Sequence, residues 1–98
     1  YPPFGRLAAL IVSAANRPDA EGFARKLAGL APRDEHVMVL GPAEAPRAVI
    51  KGRYRFRLLV KSSRGFDLSG YLRAWLAEAP KTKGSLTLEV DVDPQSFL

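Results

Sequence analysis

The sequence contains no cysteine. That excludes a disulfide framework, a thiolate metal site and a thiol nucleophile, and it fits a reducing compartment. There is a single histidine, His36, which cannot build a zinc site alone. Long hydrophobic runs are also missing. The longest, Leu7 to Val12, is far short of the roughly 20 residues that span a bilayer, and no signal-peptide pattern is present. No paired acid and base, nucleophile–base set or ligand cluster stands out, so the chain reads as non-enzymatic. The most informative absence is local: between Arg47 and Arg64 there is no acidic residue.

The same stretch holds Arg47, Lys51, Arg53, Arg55, Arg57, Lys61 and Arg64, so seven of the fifteen basic residues fall in it. The remainder carries eight basic against ten acidic residues, and one segment therefore makes the whole net charge of +5. Its centre, Lys51-Gly-Arg-Tyr-Arg-Phe-Arg-Leu-Leu-Val60, alternates cation and apolar residue. As a strand it puts Arg53, Arg55 and Arg57 on one face and Tyr54, Phe56, Leu58 and Val60 on the other. A row of guanidinium forks suits phosphate, because Arg stays charged and donates in a planar, bidentate geometry. A pI near 10 likewise points to polyanionic partners. Two plainer uses of such a row are a solvated, carboxylate-paired strand face and a face packed on another domain.

Ninety-eight residues make one domain. Tyr1 to Arg6 is an extended lead-in set by Pro2 and Pro3, and residues 7–98 form the domain. Leu7 to Ala15 reads as a central strand, apolar on both faces. Asn16 caps a helix that shows Ala20, Phe23, Ala24, Leu27 and Leu30 on one side and stops at Pro32. His36 to Leu40 is a second strand, closed by Gly41-Pro42, and Ala43 to Gly52 a loop that forms a long hairpin into the strand Arg53 to Ser62. Asp67 caps a second helix with the stripe Leu68, Tyr71, Leu72, Trp75, Leu76 and Ala79. A basic turn, Pro80 to Gly84, leads to a strand alternating Leu86, Leu88, Val90 and Val92 with Thr87, Glu89, Asp91 and Asp93.

The order β-α-β-β-α-β predicts an α+β, ferredoxin-like split sandwich: an antiparallel sheet with two helices on one face and a long basic hairpin between strands two and three. The first and third strands lie at its centre. Its open face carries the Arg row and, on an edge strand, the row Glu89, Asp91 and Asp93. Alternate strand positions lie nearly 7 Å apart, too loose for those carboxylates to hold one cation alone. The phase of the third strand places its aromatics in the core and not on nucleic-acid bases. The turn after the first strand, Ala14-Ala-Asn-Arg-Pro18, has no glycine and so lacks the phosphate cradle of small acyl-phosphate hydrolases. Arg64, just ahead of the helix capped by Asp67, lies where free N–H groups and the helix dipole favour an anion.

Three stretches resemble a known family: Tyr1-Pro-Pro-Phe-Gly-Arg-Leu-Ala8; Val39-Leu-Gly-Pro42 with Gly52-Arg-Tyr-Arg-Phe-Arg-Leu-Leu59; and Val90-Asp-Val-Asp-Pro-Gln-Ser-Phe-Leu98. The chain is similar over nearly its whole length to the C-terminal domain of bacterial primosomal replication-restart DNA helicases, the primosomal protein N-prime family. The resemblance implies a piece of a longer cytoplasmic protein, in keeping with a chain that begins at Tyr1. It implies a non-catalytic accessory domain binding forked or single-stranded DNA, and its Gly52-to-Arg57 motif agrees with the nucleic-acid contacts read from the residues themselves: Lys51, Arg53, Arg55 and Arg57, with Arg47 and Lys61 as flanking charge. It needs no cofactor of its own; ATP with magnesium, and zinc, belong to preceding domains. Partners implied are those domains, other primosome proteins and the acidic tail of single-stranded DNA-binding protein, with Arg64 in its site. No membrane partner is expected.

Overall fold

A computed structural model describes residues 5–94. Six elements follow in order: β1 (Arg6–Ala14), α1 (Arg17–Gly29), β2 (Val37–Ile50), β3 (Arg53–Ser62), α2 (Leu68–Ala77) and β4 (Thr87–Val92). The sheet runs β2-β3-β1-β4, with every neighbouring pair antiparallel. This is the split β-α-β-β-α-β arrangement that the element order predicts, with β1 and β3 central. Tyr1–Phe4 of the expected lead-in lie outside the described residues, and Arg6 already pairs in the sheet, opposite Ser62.

Apart from Arg6 and Ser13, β1 is apolar, as suits a central strand. Ala8, Leu10, Val12 and Ala14 are fully buried under the helices, and Ala9 and Ser13 are buried on the other face. Opposite them on β3 stand Val60, Leu58, Phe56 and Tyr54. Phe56, Leu58 and Val60 are buried and join one core with the residues of both helices. The aromatics of β3 therefore pack inward, as their phase requires.

Each helix starts at its predicted cap. Asn16 Oδ1 accepts from Asp19 N–H at 2.9 Å, and Asp67 Oδ1 accepts from Gly70 N–H at 3.0 Å. The helices are joined through polar ends of core aromatics. Trp75, fully buried, donates its indole N–H to Leu27 O at 2.9 Å, and the Tyr71 hydroxyl donates to Pro32 O at 2.7 Å. Leu30 departs from the predicted stripe. It is the C-cap of α1, after the last helical turn, and stands 38% exposed.

β2 also departs from prediction. It does not close at Gly41-Pro42 but continues to Ile50, so the predicted loop is mostly strand. Register shifts between Leu40 and Ala43 and between Glu44 and Val49 absorb the two prolines, which an edge strand tolerates at bulges. Gly41 has φ 105°, and a Cβ there would come 2.7 Å from Arg57 O, so only glycine fits the first bulge. Lys51 and Gly52 form the two-residue turn with φ 52° and 76°, the both-positive pattern that matches strand twist.

The predicted row Glu89, Asp91 and Asp93 is broken at its end. Asp93 lies past β4 with φ 51°. Its backbone and carboxylate clip the start of β1. Asp93 N–H donates to Leu7 O at 2.6 Å, Leu7 N–H donates to Asp93 Oδ1 at 3.2 Å, and Arg6 Nη2 donates to Oδ2 at 3.1 Å. The Leu7 N–H, then the Arg6 guanidinium, hold the Asp93 carboxyl below the ordinary carboxylate range. A group depressed in the folded state stabilises fully above its unfolded value, near 4, and loses that contribution as pH falls through its folded value. Asp34, lowered by the N–H and ring of His36, acts with the same sign. The urea midpoint is therefore expected to stay flat from neutral pH down to about 5 and to drop below about 4. Asp93→Asn should show a shallower acid drop; an unchanged profile would remove the clip from the account.

Candidate nucleic-acid interface

Across the open face, the β3 residues Arg53, Arg55, Arg57, Leu59 and Lys61 alternate with the buried ones. On β1 they lie beside Ser13, Ile11, Ala9 and Leu7. Arg53 spans the sheet. Its Nε and Nη2 donate to Ser13 Oγ at 3.2 and 3.0 Å, and Nη2 also reaches Ser85 O and Thr87 Oγ1 at 3.3 Å. Ser13 and Thr87 share a hydrogen bond of 2.7 Å. Arg55 reaches the other way, donating Nη1 to Pro46 O at 2.9 Å and Arg47 O at 3.1 Å. Those carbonyls lie in the register shift between Glu44 and Val49. The bulge leaves acceptors that Arg55 satisfies.

Among the described residues, the acceptors of these two guanidinium groups are neutral carbonyls and hydroxyls. The groups are therefore held in place without losing their charge. Each has five N–H donors, and the bonds described fall on Nε and Nη2 of Arg53 and on Nη1 of Arg55. Together with Ser13, Ile50, Lys51, Thr87 and Glu89 they line a concavity of about 590 Å³ beside the hairpin tip. Lys51 and Arg47 are exposed, and both have positive φ.

The predicted basic row divides in two. Arg47, Lys51, Arg53 and Arg55 gather at the hairpin end, with Arg57 next along the face. Lys61 lies eight residues from Arg53, roughly 27 Å along an extended strand. It pairs across to Met38 and Leu7. Between the two ends the face is apolar: Leu59 stands opposite Leu40, and Met38 and Leu40 are 43% and 40% exposed. Sequence reasoning missed Ser13, Ser85 and Thr87 as anchors. The signal for Ser13 was present, as a polar residue in an otherwise apolar central strand.

Arg64 sits in the turn between β3 and α2, exposed, and Gly5 packs so closely on it that a Cβ there would come 2.6 Å from Arg64 Cβ. Beside it His36, Ser63, Gly65, Phe66 and Asp67 line a concavity of about 370 Å³, in which His36 stacks on Phe66 with centroids 6.0 Å apart. The α2 cap site itself is filled by Asp67.

Residues 1–95 match the primosomal protein N C-terminal domain. The chain belongs to that family. The C-terminal domain family is a non-catalytic one. The replication restart protein PriA of Rickettsia felis is 35% identical over 96 residues, covering 98% of this chain and 14% of that protein. The Rickettsia prowazekii protein of the same name is 34% identical over the same shares. The probable replication restart protein PriA of Deinococcus radiodurans is 36% identical over 103 residues, covering 98% of this chain and 10% of that protein. The chain thus spans about a seventh or less of the relatives it matches.

Arg53 and Lys51 have different work in this geometry. Arg53→Ala is expected to lower stability by about 1–2 kcal/mol in urea denaturation, because Ser85 O and the Ser13 hydroxyl lose a charged donor. Lys51→Ala, at an exposed turn, should leave stability unchanged. Equal stability for both variants would refute the anchoring role of Arg53.

Proposed function

We propose that the chain is the DNA-binding accessory domain of a replication-restart helicase in the bacterial cytoplasm. Its hairpin end contacts phosphates of forked or single-stranded DNA. The observation that carries this reading is the pair Arg53 and Arg55, fixed by neutral acceptors at one end of the sheet, beside Lys51 and Arg47. Guanidinium groups already positioned lose little side-chain freedom when phosphate arrives. Such contacts position a strand without reading its sequence. Arg57 continues the surface, and Lys61 adds charge at the distant end. Selectivity for branched structure belongs to the geometry of the larger protein. ATP with magnesium, and zinc, belong to its other domains.

The test is a salt titration. The 98-residue chain should bind oligonucleotides without sequence preference, at about 10⁻⁴–10⁻⁶ M. For a single strand, Lys51→Ala/Arg55→Ala/Arg57→Ala should reduce the slope of log affinity against log salt by about two, since each phosphate contact contributes about 0.7. An unchanged slope would reject the hairpin as the DNA contact.

A second reading has its own observation. The apolar stretch of the open face, with Met38 and Leu40 exposed, suits packing against another domain of the parent protein or a primosome partner. Arg64, with the Phe66 concavity beside it, suits an apolar side chain next to a carboxylate, the chemistry of the single-stranded DNA-binding protein tail. In the full-length protein, Arg64→Ala is expected to weaken binding of the tail peptide by about 1–3 kcal/mol in calorimetric titration. Equal affinity would return Arg64 to a solvated turn.

A further inference from the structure

A second basic surface lies on the other side of the β4 edge. Pro18, Gly22, Phe23 and Lys26 of α1 face Pro80, Lys81, Lys83 and Leu86 across a groove of about 410 Å³. Phe23 and Leu86 are partly buried apolar residues packed on the core. Lys26, Lys81 and Lys83 are exposed. None of these lysines takes part in the ion pairs seen among the described residues. One carboxylate, Asp19, lines the groove, and it is bonded to the Asn16 side-chain amide at 2.8 Å. The groove is therefore cationic over an apolar floor.

Gly22 adds an independent sign. It occupies the interior of α1, where glycine is less favourable than alanine. A Cβ there would meet nothing within 4 Å, so no internal packing calls for glycine. A side chain at this position would instead narrow the groove.

The groove also adjoins the hairpin concavity. Leu86 lines the groove, while its neighbour Thr87 lines the concavity with Arg53 and Arg55. Ser85, beside them, accepts from Arg53 at its carbonyl and from Ala15 N–H at its hydroxyl, at 2.8 Å. β4 is an edge strand, so the start of one strand is all that separates the two cationic hollows. We propose that the Lys26–Lys81–Lys83 groove is a second phosphate-contacting site, and that one single-stranded polynucleotide runs from the hairpin concavity around the start of β4 into it. A duplex is too stiff to make that turn, with a persistence length of about 150 bp. A single strand follows it readily, and its phosphates recur along the whole path. The inference rests on the reading of the hairpin as a DNA contact.

The experiment measures fluorescence anisotropy of a labelled oligothymidine of about 15 nucleotides with the 98-residue chain. Three variants are compared, each checked by thermal melting: Lys26→Gln/Lys81→Gln/Lys83→Gln, Gly22→Gln, and Lys51→Ala/Arg55→Ala/Arg57→Ala. The lysine variant is expected to melt like wild type and to lower the salt slope by about two. Gly22→Gln keeps every cation and should weaken binding while melting no lower than wild type. If the hairpin variant weakens binding and both groove variants leave it intact, the groove proposal falls and the hairpin reading stands. If the hairpin variant binds like wild type while the groove variants weaken, the continuous path is overturned together with the hairpin reading. If a polyglutamate peptide of matched charge binds in a lysine-dependent way and the oligonucleotide does not, the groove is an acidic-peptide site and the proposal is rejected.

Discussion

The register of β3 against β1 is the constraint on which the rest depends. Pairing Phe56 with Val12, Leu58 with Leu10 and Val60 with Ala8 places three apolar side chains under the helices. By strand geometry it places Arg53, Arg55 and Arg57 on the open face. A slip of one residue would bury guanidinium groups under Trp75 and Leu27 and expose Phe56. The cost of desolvating those charges makes the alternative untenable. One alternating sequence therefore specifies core and surface together. The fully buried face of β1, which any slip would leave without apolar partners, enforces the choice.

Two of the arginines held by this register, Arg53 and Arg55, are oriented by neutral groups. Carboxylate partners would have neutralised them, as Glu44 does for Arg17 at 2.6 Å and Asp93 for Arg6 at 3.1 Å. Arg53 instead takes hydroxyl and carbonyl acceptors from β1 and the entry to β4, and Arg55 takes carbonyls from the β2 bulge. The ion pairs of Arg6, Arg17 and Arg25 lie elsewhere, at the strand ends and on α1. The second bulge in β2 thus serves two ends. It admits Pro46 into a strand, and its carbonyls hold Arg55 beside the hairpin tip. On the far side of β4 the lysines of the Pro80–Gly84 turn meet Lys26 of α1, a pairing that joins residues over fifty positions apart.

Local patterns alone sufficed for much of this molecule. The two caps, the buried stripes of α1 and α2, the double-sided burial of β1 and the inward phase of Phe56 follow from periodicity and capping chemistry. Both act over a few residues. The class of fold follows from the order of those elements, and the basic character of the hairpin follows from composition.

Other features arise from contacts between segments distant in sequence, which no local pattern carries. The extension of β2 through Gly41-Pro42 depends on β3 offering a partner strand that tolerates two register shifts. The anchoring of Arg53 depends on Ser13, Ser85 and Thr87 being brought together from separate elements. The same is true of the Asp93 clip on Leu7 and of the groove that gathers Lys26 with Lys81 and Lys83. Charge and alternation, read from the sequence by itself, determine that one face of β3 is cationic. Only the tertiary structure decides which cations are held, by what, and which distant ones join them, because hydrogen bonds and surface fields act through space and not along the chain.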